Sequence, residues 1–306
     1  MRLAAAALLT AVVAPAAHAG VILGVHGNSG RFASQTGQQS QIHLTFMAYG
    51  GGQLQKIVST MGPVPLLALN ASGTSSRAIA LGQTDQFLVQ LNATIAAWPG
   101  KVFYLRPFPE MNAYWSPTCA YTRTGAPRGE AYSTAWTKKA FARIAVLARG
   151  GTADAMNAQL AKLGLPRTSA DLAVTTPKLR LVWNPQGFGA PNIPGNSAQA
   201  YYPGNAYVDV VGDDLYDKPG HGATWDAAEK LYRAHPGKPF AFPEWGLWGF
   251  DDPAFVRAMA TFVKQHRRVE FISYFSGTAG SVWDLATKPA SRAAYRSLIT
   301  PLGIAP

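Results

Sequence analysis

Short apolar runs alternate with longer segments of helical periodicity along most of this chain. A run of β-branched and apolar residues bounded by turn residues is typical of a strand that is buried on both faces. Eight such runs occur, at residues 21–26 (VILGVH), 42–48 (IHLTFMA), 64–70 (VPLLALN), 102–108 (VFYLRPF), 179–184 (LRLVWN), 207–216 (YVDVVGDDLY), 239–245 (PFAFPEW) and 269–275 (VEFISYF). Strands of this kind separated by helices indicate a parallel sheet, and eight units predict an α/β fold, the closed (β/α)8 TIM barrel.

Four segments between the runs predict helices that place one apolar face on the sheet. Their apolar residues recur at spacings of three and four, and they cover residues 84–98, 134–149, 224–235 and 252–266. An open, doubly wound sheet is the alternative arrangement. No GxGxxG or P-loop signature follows any run, which removes the usual reason to prefer an open sheet.

The spacing between the fourth and fifth runs is longer than between the others. About 70 residues separate them, enough for the helix at 134–149 and for an insertion at 150–178. Within the insertion, AMNAQLAKLG (155–164) predicts a short extra helix. No domain boundary or internal repeat is visible, so residues 20–306 are predicted to form one domain with an insertion between strands four and five.

Residues 1–19 have the pattern of a secretory signal peptide. MRLAAAALLTAVVAPAAHA has Arg2 beside the initiator Met, an apolar middle too short to span a bilayer, and an AxA ending at Ala19. We therefore expect cleavage before Gly20 and a secreted protein, periplasmic or extracellular, without a membrane anchor.

The chain is basic, but its basic residues are not arranged for nucleic acid. It has 27 Lys and Arg against 16 Asp and Glu, a formal charge of +11, or about +10 without Arg2. The basic residues are scattered, and no basic stripe interleaves with aromatic residues. A soluble basic protein is the simplest interpretation, and an anionic polymer as partner stays open. Cys119 is the only cysteine, so packing rather than an intrachain disulfide must stabilise the fold.

Two glutamates occupy the strand ends where a barrel of this type places its functional residues. Glu110 follows the fourth run and Glu244 lies in the seventh, and both segments are otherwise free of charge except for Arg106. Strands four and seven lie on opposite sides of the barrel mouth, so the two carboxylates can face each other across a ligand. A lone glutamate at a strand end is usually a salt bridge or a cap. The pair, with aromatic residues beside both members, indicates catalysis.

Such a pair of carboxylates is what glycoside hydrolysis needs. One carboxyl protonates the leaving oxygen while the other attacks the sugar or activates water, and a separation of about 5–5.5 Å implies retention of configuration. Tryptophans beside the pair can stack on sugar faces.

Three segments resemble glycoside hydrolase family 26, the β-mannanase family within the retaining clan A of glycoside hydrolases. They are LRPFPEMNAYW (105–115), YYPGNAYVDVVGDDLYD (201–217) and KPFAFPEWG (238–246), with VWNP (182–185) as a weaker fourth. Their order and spacing fit nearly the whole chain after residue 19. The resemblance implies that residues 20–306 form the catalytic domain of an exported retaining endo-β-glycosidase, with β-1,4-mannan as the leading substrate.

Carried over by position, the resemblance makes Glu110 the general acid/base and Glu244 the nucleophile. Tyr216 then orients the nucleophile by a hydrogen bond. The predicted substrate-binding residues are the polar and aromatic side chains at the strand ends, namely His26, Arg106, Asn112, Trp115, Trp183, Tyr216, Trp245 and Trp283. Trp283, or an aromatic residue at 274 or 275, would take the place of the tryptophan that the clan has at the end of strand eight.

Pro109 departs from the family pattern. The family has His immediately before the acid/base glutamate, and proline cannot replace that hydrogen-bond donor. We predict that His26 replaces it; a substrate other than mannan, or weak activity, is the alternative. Because proline also lacks a backbone N–H, the fourth strand must be leaving the sheet at this point.

Other chemistries find less support in the sequence. The six histidines show no HExxH or paired spacing, no GxSxG elbow is present, and Asp213 with Asp214 is too little for a calcium loop. We therefore expect a monomeric enzyme that acts on a polysaccharide without a cofactor or metal. Two alternatives stay open. One is hydrolysis of another β-glycan or of an anionic bacterial exopolysaccharide, and the other is a carbohydrate-binding barrel that has lost its catalytic chemistry.

Overall fold

The computed structural model describes residues 20–220 and 223–306, and its strands close into a parallel barrel. The strands are β1 (Ile22–Gly27), β2 (Ile42–Ala48), β3 (Val64–Asn70), β4 (Phe103–Pro107), β5 (Leu179–Trp183), β6 (Val210–Asp217), β7 (Phe240–Leu247) and β8 (Val269–Gly277). Each strand pairs in parallel with its neighbour in chain order, and β1 pairs with β8. The predicted (β/α)8 barrel is therefore confirmed. The predicted signal peptide, residues 1–19, lies outside the described residues.

Helices cover the outside of the barrel. They are α1 (Ser29–Thr36), α2 (Leu54–Ser59), α3 (Ser76–Ala80), α4 (Asp85–Ala97), α5 (Thr134–Arg149), α6 (Ala153–Lys162), α7 (Trp225–Ala234), α8 (Pro253–Gln265) and α9 (Pro289–Leu298). The four predicted helices correspond to α4, α5, α7 and α8, and α6 is the extra helix expected in the insertion. No helix in residues 20–220 or 223–306 has the length and apolar character needed to cross a membrane.

The core has two layers because successive side chains on a strand point to opposite faces. One apolar cluster draws members from all eight strands and fills the barrel interior; Tyr104 of β4, Val182 of β5 and Ala241 of β7 belong to it. The second and larger cluster lies between the strands and the helices, and Trp183 and Trp245 belong to that layer. This alternation decides which of the strand-end residues can reach the mouth of the barrel.

Candidate active site

A cavity of about 850 Å³ opens at the C-terminal ends of the strands, and both glutamates line it. Four exposed large aromatic side chains share its wall: Tyr114, Trp115, Phe188 and Trp248. Exposed aromatic residues gathered in one concave site indicate a ligand-binding surface, whereas scattered ones would not.

Glu110 leaves the end of β4 in a strained backbone conformation. The strand ends at Pro107, and Phe108 and Glu110 then adopt φ angles of 56° and 52°, in the left-handed region. Non-glycine residues there cost about 1–3 kcal/mol each and cluster at functional sites. The Glu110 N–H donates to the carbonyl of Asn184 at 2.9 Å, which anchors the segment to the end of the neighbouring strand β5. The prediction that the strand leaves the sheet at Pro109 is confirmed.

The Glu110 carboxyl is held by two side-chain donors. Trp115 Nε1 donates to Oε2, and Gln186 Nε2 donates to Oε1. Burial raises the pKa of Glu110, and the nearby Glu244 charge raises it further, against the lowering effect of Trp115, Arg106 and Gln186. A carboxyl with a raised pKa keeps its proton at higher pH, so it can act as a general acid.

Glu244 is buried and has a different set of partners. Tyr216 donates its hydroxyl to Oε2 at 2.9 Å, and Arg106 Nη1 donates to Oε1. The Glu244 N–H donates to Asp214 Oδ1 at 3.1 Å. The side chain and the backbone of Glu244 are thus both held by hydrogen bonds, an arrangement that a positioned nucleophile requires.

An irregularity in β7 turns Glu244 toward the cavity. Ala241 belongs to the barrel interior, and strict alternation from it would point Glu244 outward. The register between β7 and β8 shifts between Phe242 and Trp245, however. Bulges of this kind re-aim side chains beside active sites.

Arg106 is the central cation of a buried carboxyl cluster. It is fully buried, and its Nη2 donates to Asp214 as Nη1 does to Glu244. Burial raises the pKa of Asp214 well above its usual range, against the lowering effect of Arg106, and burial likewise raises that of Asp213 to about 7. The carboxyls in this cluster outnumber its single guanidinium, which favours the protonated form of a carboxyl over a further buried negative charge. Among the described residues, no group of three or more His, Cys, Asp or Glu is placed to hold a metal ion.

Gln186 is a site residue that the sequence reasoning missed. Its backbone is clamped by Asn112, whose Oδ1 accepts from the Gln186 N–H at 2.7 Å and whose Nδ2 donates to the Gln186 carbonyl at 3.0 Å. The next N–H, of Gly187, donates to Asp213 Oδ1 at 2.8 Å. A Cβ on Gly187 would lie 2.9 Å from Asp213 Oδ2, so the segment has room only for glycine. The only available sequence signal was its place just after the fifth strand.

His26 lies beside the cavity wall and makes no hydrogen bond to Glu110 in the described chain. Its Nδ1 donates to the Leu44 carbonyl at 2.9 Å, and its ring packs on Phe275 at a centroid distance of 4.5 Å. The prediction that His26 supplies the donor missing at Pro109 is therefore wrong, and Gln186 and Trp115 are the donors. A contact between His26 and substrate stays a prediction.

Four of the predicted substrate-binding side chains are fully buried and do not line the cavity: Arg106, Asn112, Trp183 and Trp245. Arg106 donates a hydrogen bond to Glu244, and Asn112 hydrogen-bonds to the backbone of Gln186. Trp183 and Trp245 point outward, into the layer between the strands and the helices, because the residue before each of them points toward the barrel interior or the cavity. Trp183 packs edge-on against Tyr202, and Trp245 stacks on Tyr295.

Three of the other predicted residues reach the cavity. Trp115, Tyr216 and Trp283 line it, although their binding to substrate stays a prediction. Trp283 packs edge-on against Trp248 and Phe275, with ring centroids 5.1 and 5.0 Å away, so both Trp283 and Phe275 occupy the end of β8. Tyr114, Phe188 and Trp248 complete the wall; their placement depends on loop shapes that residue patterns do not reveal.

Comparisons with known proteins give likeness in structure only. No protein-family model matches the chain, and no curated protein matches it. The endo-β-1,4-mannanase of Cellulomonas fimi, solved as a double mutant, matches with a TM-score of 0.60 and 14% identity over 94% of this chain and 72% of that one. The catalytic domain of the Bacillus sp. JAMB-750 GH26 endo-β-1,4-mannanase gives 0.55 and 14%, over 91% and 85% of the two chains.

A GH26 β-mannanase from Bacteroides ovatus matches in the same way. Its TM-score is 0.55 at 15% identity, over 92% of this chain and 88% of that one. Likeness over almost the whole chain at such low identity concerns the arrangement of the backbone. The chain therefore has the (β/α)8 barrel fold of the family 26 glycoside hydrolase structures.

Proposed function

We propose that this protein is a retaining β-glycosidase, with Glu110 as general acid/base and Glu244 as nucleophile. The observation that carries the proposal is the contrast between the two glutamates in one cavity. Burial and a neighbouring negative charge raise the pKa of Glu110, whereas Arg106 and Tyr216 hold the oxygens of Glu244. Two carboxyls in such different environments suit the roles of proton donor and nucleophile.

The proposed reaction is a double displacement. In the first step, a Glu244 oxygen forms a bond to the anomeric carbon, the glycosidic bond breaks, and the Glu110 proton moves to the leaving oxygen. In the second step, the Glu110 carboxylate takes a proton from water while the water oxygen attacks the anomeric carbon and releases Glu244. The donors Trp115 and Gln186 stabilise the carboxylate that Glu110 becomes between the steps.

The proposed substrate is a β-linked polysaccharide, and β-1,4-mannan is the first backbone to test because the similar structures are named β-mannanases. Trp115, Trp248 and Trp283 support a sugar ligand, since they place three indole rings along the cavity. We further propose that the protein is exported after removal of residues 1–19 and acts as a monomer.

Incubation of the purified protein with defined polysaccharides tests this function. We expect reducing ends to be released from at least one of mannan, galactomannan, mixed-linkage glucan, β-1,3-xylan and acidic bacterial polymers. NMR during the first minutes should show the β-anomer of the product before mutarotation, because two displacements at one carbon retain configuration. First formation of the α-anomer would contradict the double displacement. Binding of a glycan without cleavage of any polymer would favour the barrel that has lost its chemistry.

Replacing Gln186 with Leu should change the pH profile as well as the rate. Gln186 donates to the Glu110 carboxylate and so lowers its pKa. The variant should lose about 10-fold in kcat/KM, because a hydrogen bond to a charged group is removed. Its basic limb should move to higher pH, because the acid form of Glu110 persists further.

The pH dependence of kcat/KM on the cleaved substrate measures both effects. Gln159→Leu, an exposed position on α6, is the matched control and should behave like the wild type. An unmoved basic limb in Gln186→Leu would mean that Gln186 does not position the proton of Glu110.

A further inference from the structure

Two cationic side chains line the active-site cavity, each beside an exposed aromatic ring. Lys218 follows β6, and its Nζ lies 4.5 Å from the centre of the Trp248 ring. Arg123 lies in the segment between β4 and α5, and its Cζ lies 5.8 Å from the centre of the Tyr114 ring. Neither forms an ion pair with any of the described residues, whereas Arg31 and Arg149 each pair with an aspartate.

The two cations are connected to different glutamates through the aromatic residues beside them. Tyr114, beside Arg123, contacts Trp115, which donates to Glu110. Trp248, beside Lys218, contacts Tyr216, which donates to Glu244. Arg123 belongs to the chain segment that follows β4 and Glu110, and Lys218 rests on Trp248, just beyond β7 and Glu244. A ligand between the glutamates would therefore meet one cation on the acid/base side and one on the nucleophile side. Each cation stands beside an exposed aromatic ring, so each site offers a face for a sugar ring and a charge for a substituent.

A neutral glycan gives these charges no partner. An acidic glycan does, and it also needs them, because the Glu244 carboxylate that lines the same cavity would otherwise repel a negatively charged chain. The formal charge of +11 adds a long-range attraction for polyanions.

Building on the proposed function, we propose that the polysaccharide carries carboxylate groups and that Lys218 and Arg123 bind them on the two sides of the cavity. The carboxylates come either from uronic acid residues in the backbone or from acidic substituents. Both sources present the same anion to an ammonium or a guanidinium.

A matched pair of polymers tests this proposal. The first is an acidic β-glycan, and the second is the same polymer after its carboxyls have been reduced to alcohols. We expect the wild type to have the higher kcat/KM on the acidic form, with the difference shrinking as salt is added. Lys218→Gln with Arg123→Gln should lose about 3- to 10-fold per cation on the acidic form and nothing on the reduced form.

One control tests whether the effect comes from charges in the cavity or from the net charge of the protein, and a second comparison identifies the source of the carboxylate. Lys56→Gln, at an exposed site on α2, removes one charge away from the cavity and should leave both rates unchanged. Two polymers distinguish the sources of carboxylate. One has a uronate backbone, and the other has a neutral backbone with acidic substituents. The polymer on which the double variant loses rate carries the carboxylate that the two cations bind.

The failures are also distinguishable. If the reduced polymer is cut as well as the acidic one, or if the double variant loses rate equally on both, the proposal is overturned while the glycosidase function stands. If neither polymer is cut, calorimetry decides. The proposal is supported if the wild type binds the acidic form selectively and the double variant does not. It is overturned if the wild type binds both forms equally.

Discussion

Replacing Glu244 with Ala should lower polysaccharide cleavage by at least about 10⁴-fold, because the covalent step loses its nucleophile. The variant should stay folded, since Arg106 keeps Asp214 as a partner. Azide should partly restore turnover of an aryl β-glycoside, because a small anion fits the space of the lost carboxylate. The product should be an α-glycosyl azide, since a single displacement inverts the anomeric carbon. Reducing-end release and NMR of the azide product measure these outcomes.

Glu130→Ala is the matched control for Glu244→Ala. Glu130 is exposed, lies far along the chain from β7, and pairs weakly with Arg77 at 3.7 Å. It should retain full activity. If Glu244→Ala kept more than a few per cent of the wild-type rate, or if azide gave a β-glycosyl azide, Glu244 would not be the nucleophile.

Replacing Arg106 with Met should destabilise the protein by about 3–5 kcal/mol at neutral pH and abolish activity, because it leaves buried carboxylates without their cation. Asp214 already has a raised pKa, and loss of Arg106 raises it further. A group with a raised folded pKa stabilises the fold below its unfolded pKa and loses that contribution as pH rises. The stability deficit of the variant should therefore shrink at acidic pH. Urea unfolding at several pH values measures it.

Two further variants sharpen the Arg106 experiment. Arg106→Lys keeps the charge but cannot bind two carboxylates with one planar fork, so it should recover part of the stability and little of the activity. Arg233→Met breaks an exposed ion pair with Glu229, which is worth about 0–1 kcal/mol. An Arg106→Met variant as stable as Arg233→Met at neutral pH would show that the carboxyl cluster does not depend on its guanidinium.

Gln186 changes how Pro109 should be interpreted. A proline before the acid/base glutamate removes a side-chain donor, which alone suggests a weakened site. Gln186 reaches the same carboxyl from the segment after β5, where Asn112 and Asp213 hold its backbone in place. The hydrogen bond thus comes from a different strand end, and the Pro109 position does not imply a loss of chemistry.

Residue patterns were sufficient to predict the strands and the main helices of the barrel. The eight apolar runs predicted the strands of the closed barrel, because burial on both faces leaves a local signature in the sequence. The ends of the predicted helices agree with α4, α5, α7 and α8 to within one residue. The predicted barrel also implied that Glu110 and Glu244 lie at one cavity, because the C-terminal ends of the strands of a parallel barrel share one rim.

Only the tertiary structure decided which side chains face that cavity and which groups touch the glutamates. The register shift in β7 aims Glu244 inward, and alternation buries Trp183 and Trp245 behind the strands. The partners of the glutamates come from far along the chain: Gln186 is 76 residues from Glu110, and Arg106 is 138 residues from Glu244. The sequence by itself determined strands, helices and strand ends, because their causes are local. Side-chain direction and hydrogen-bond partners depend on bulges and on which loops meet when the barrel closes, and no short stretch of residues encodes either.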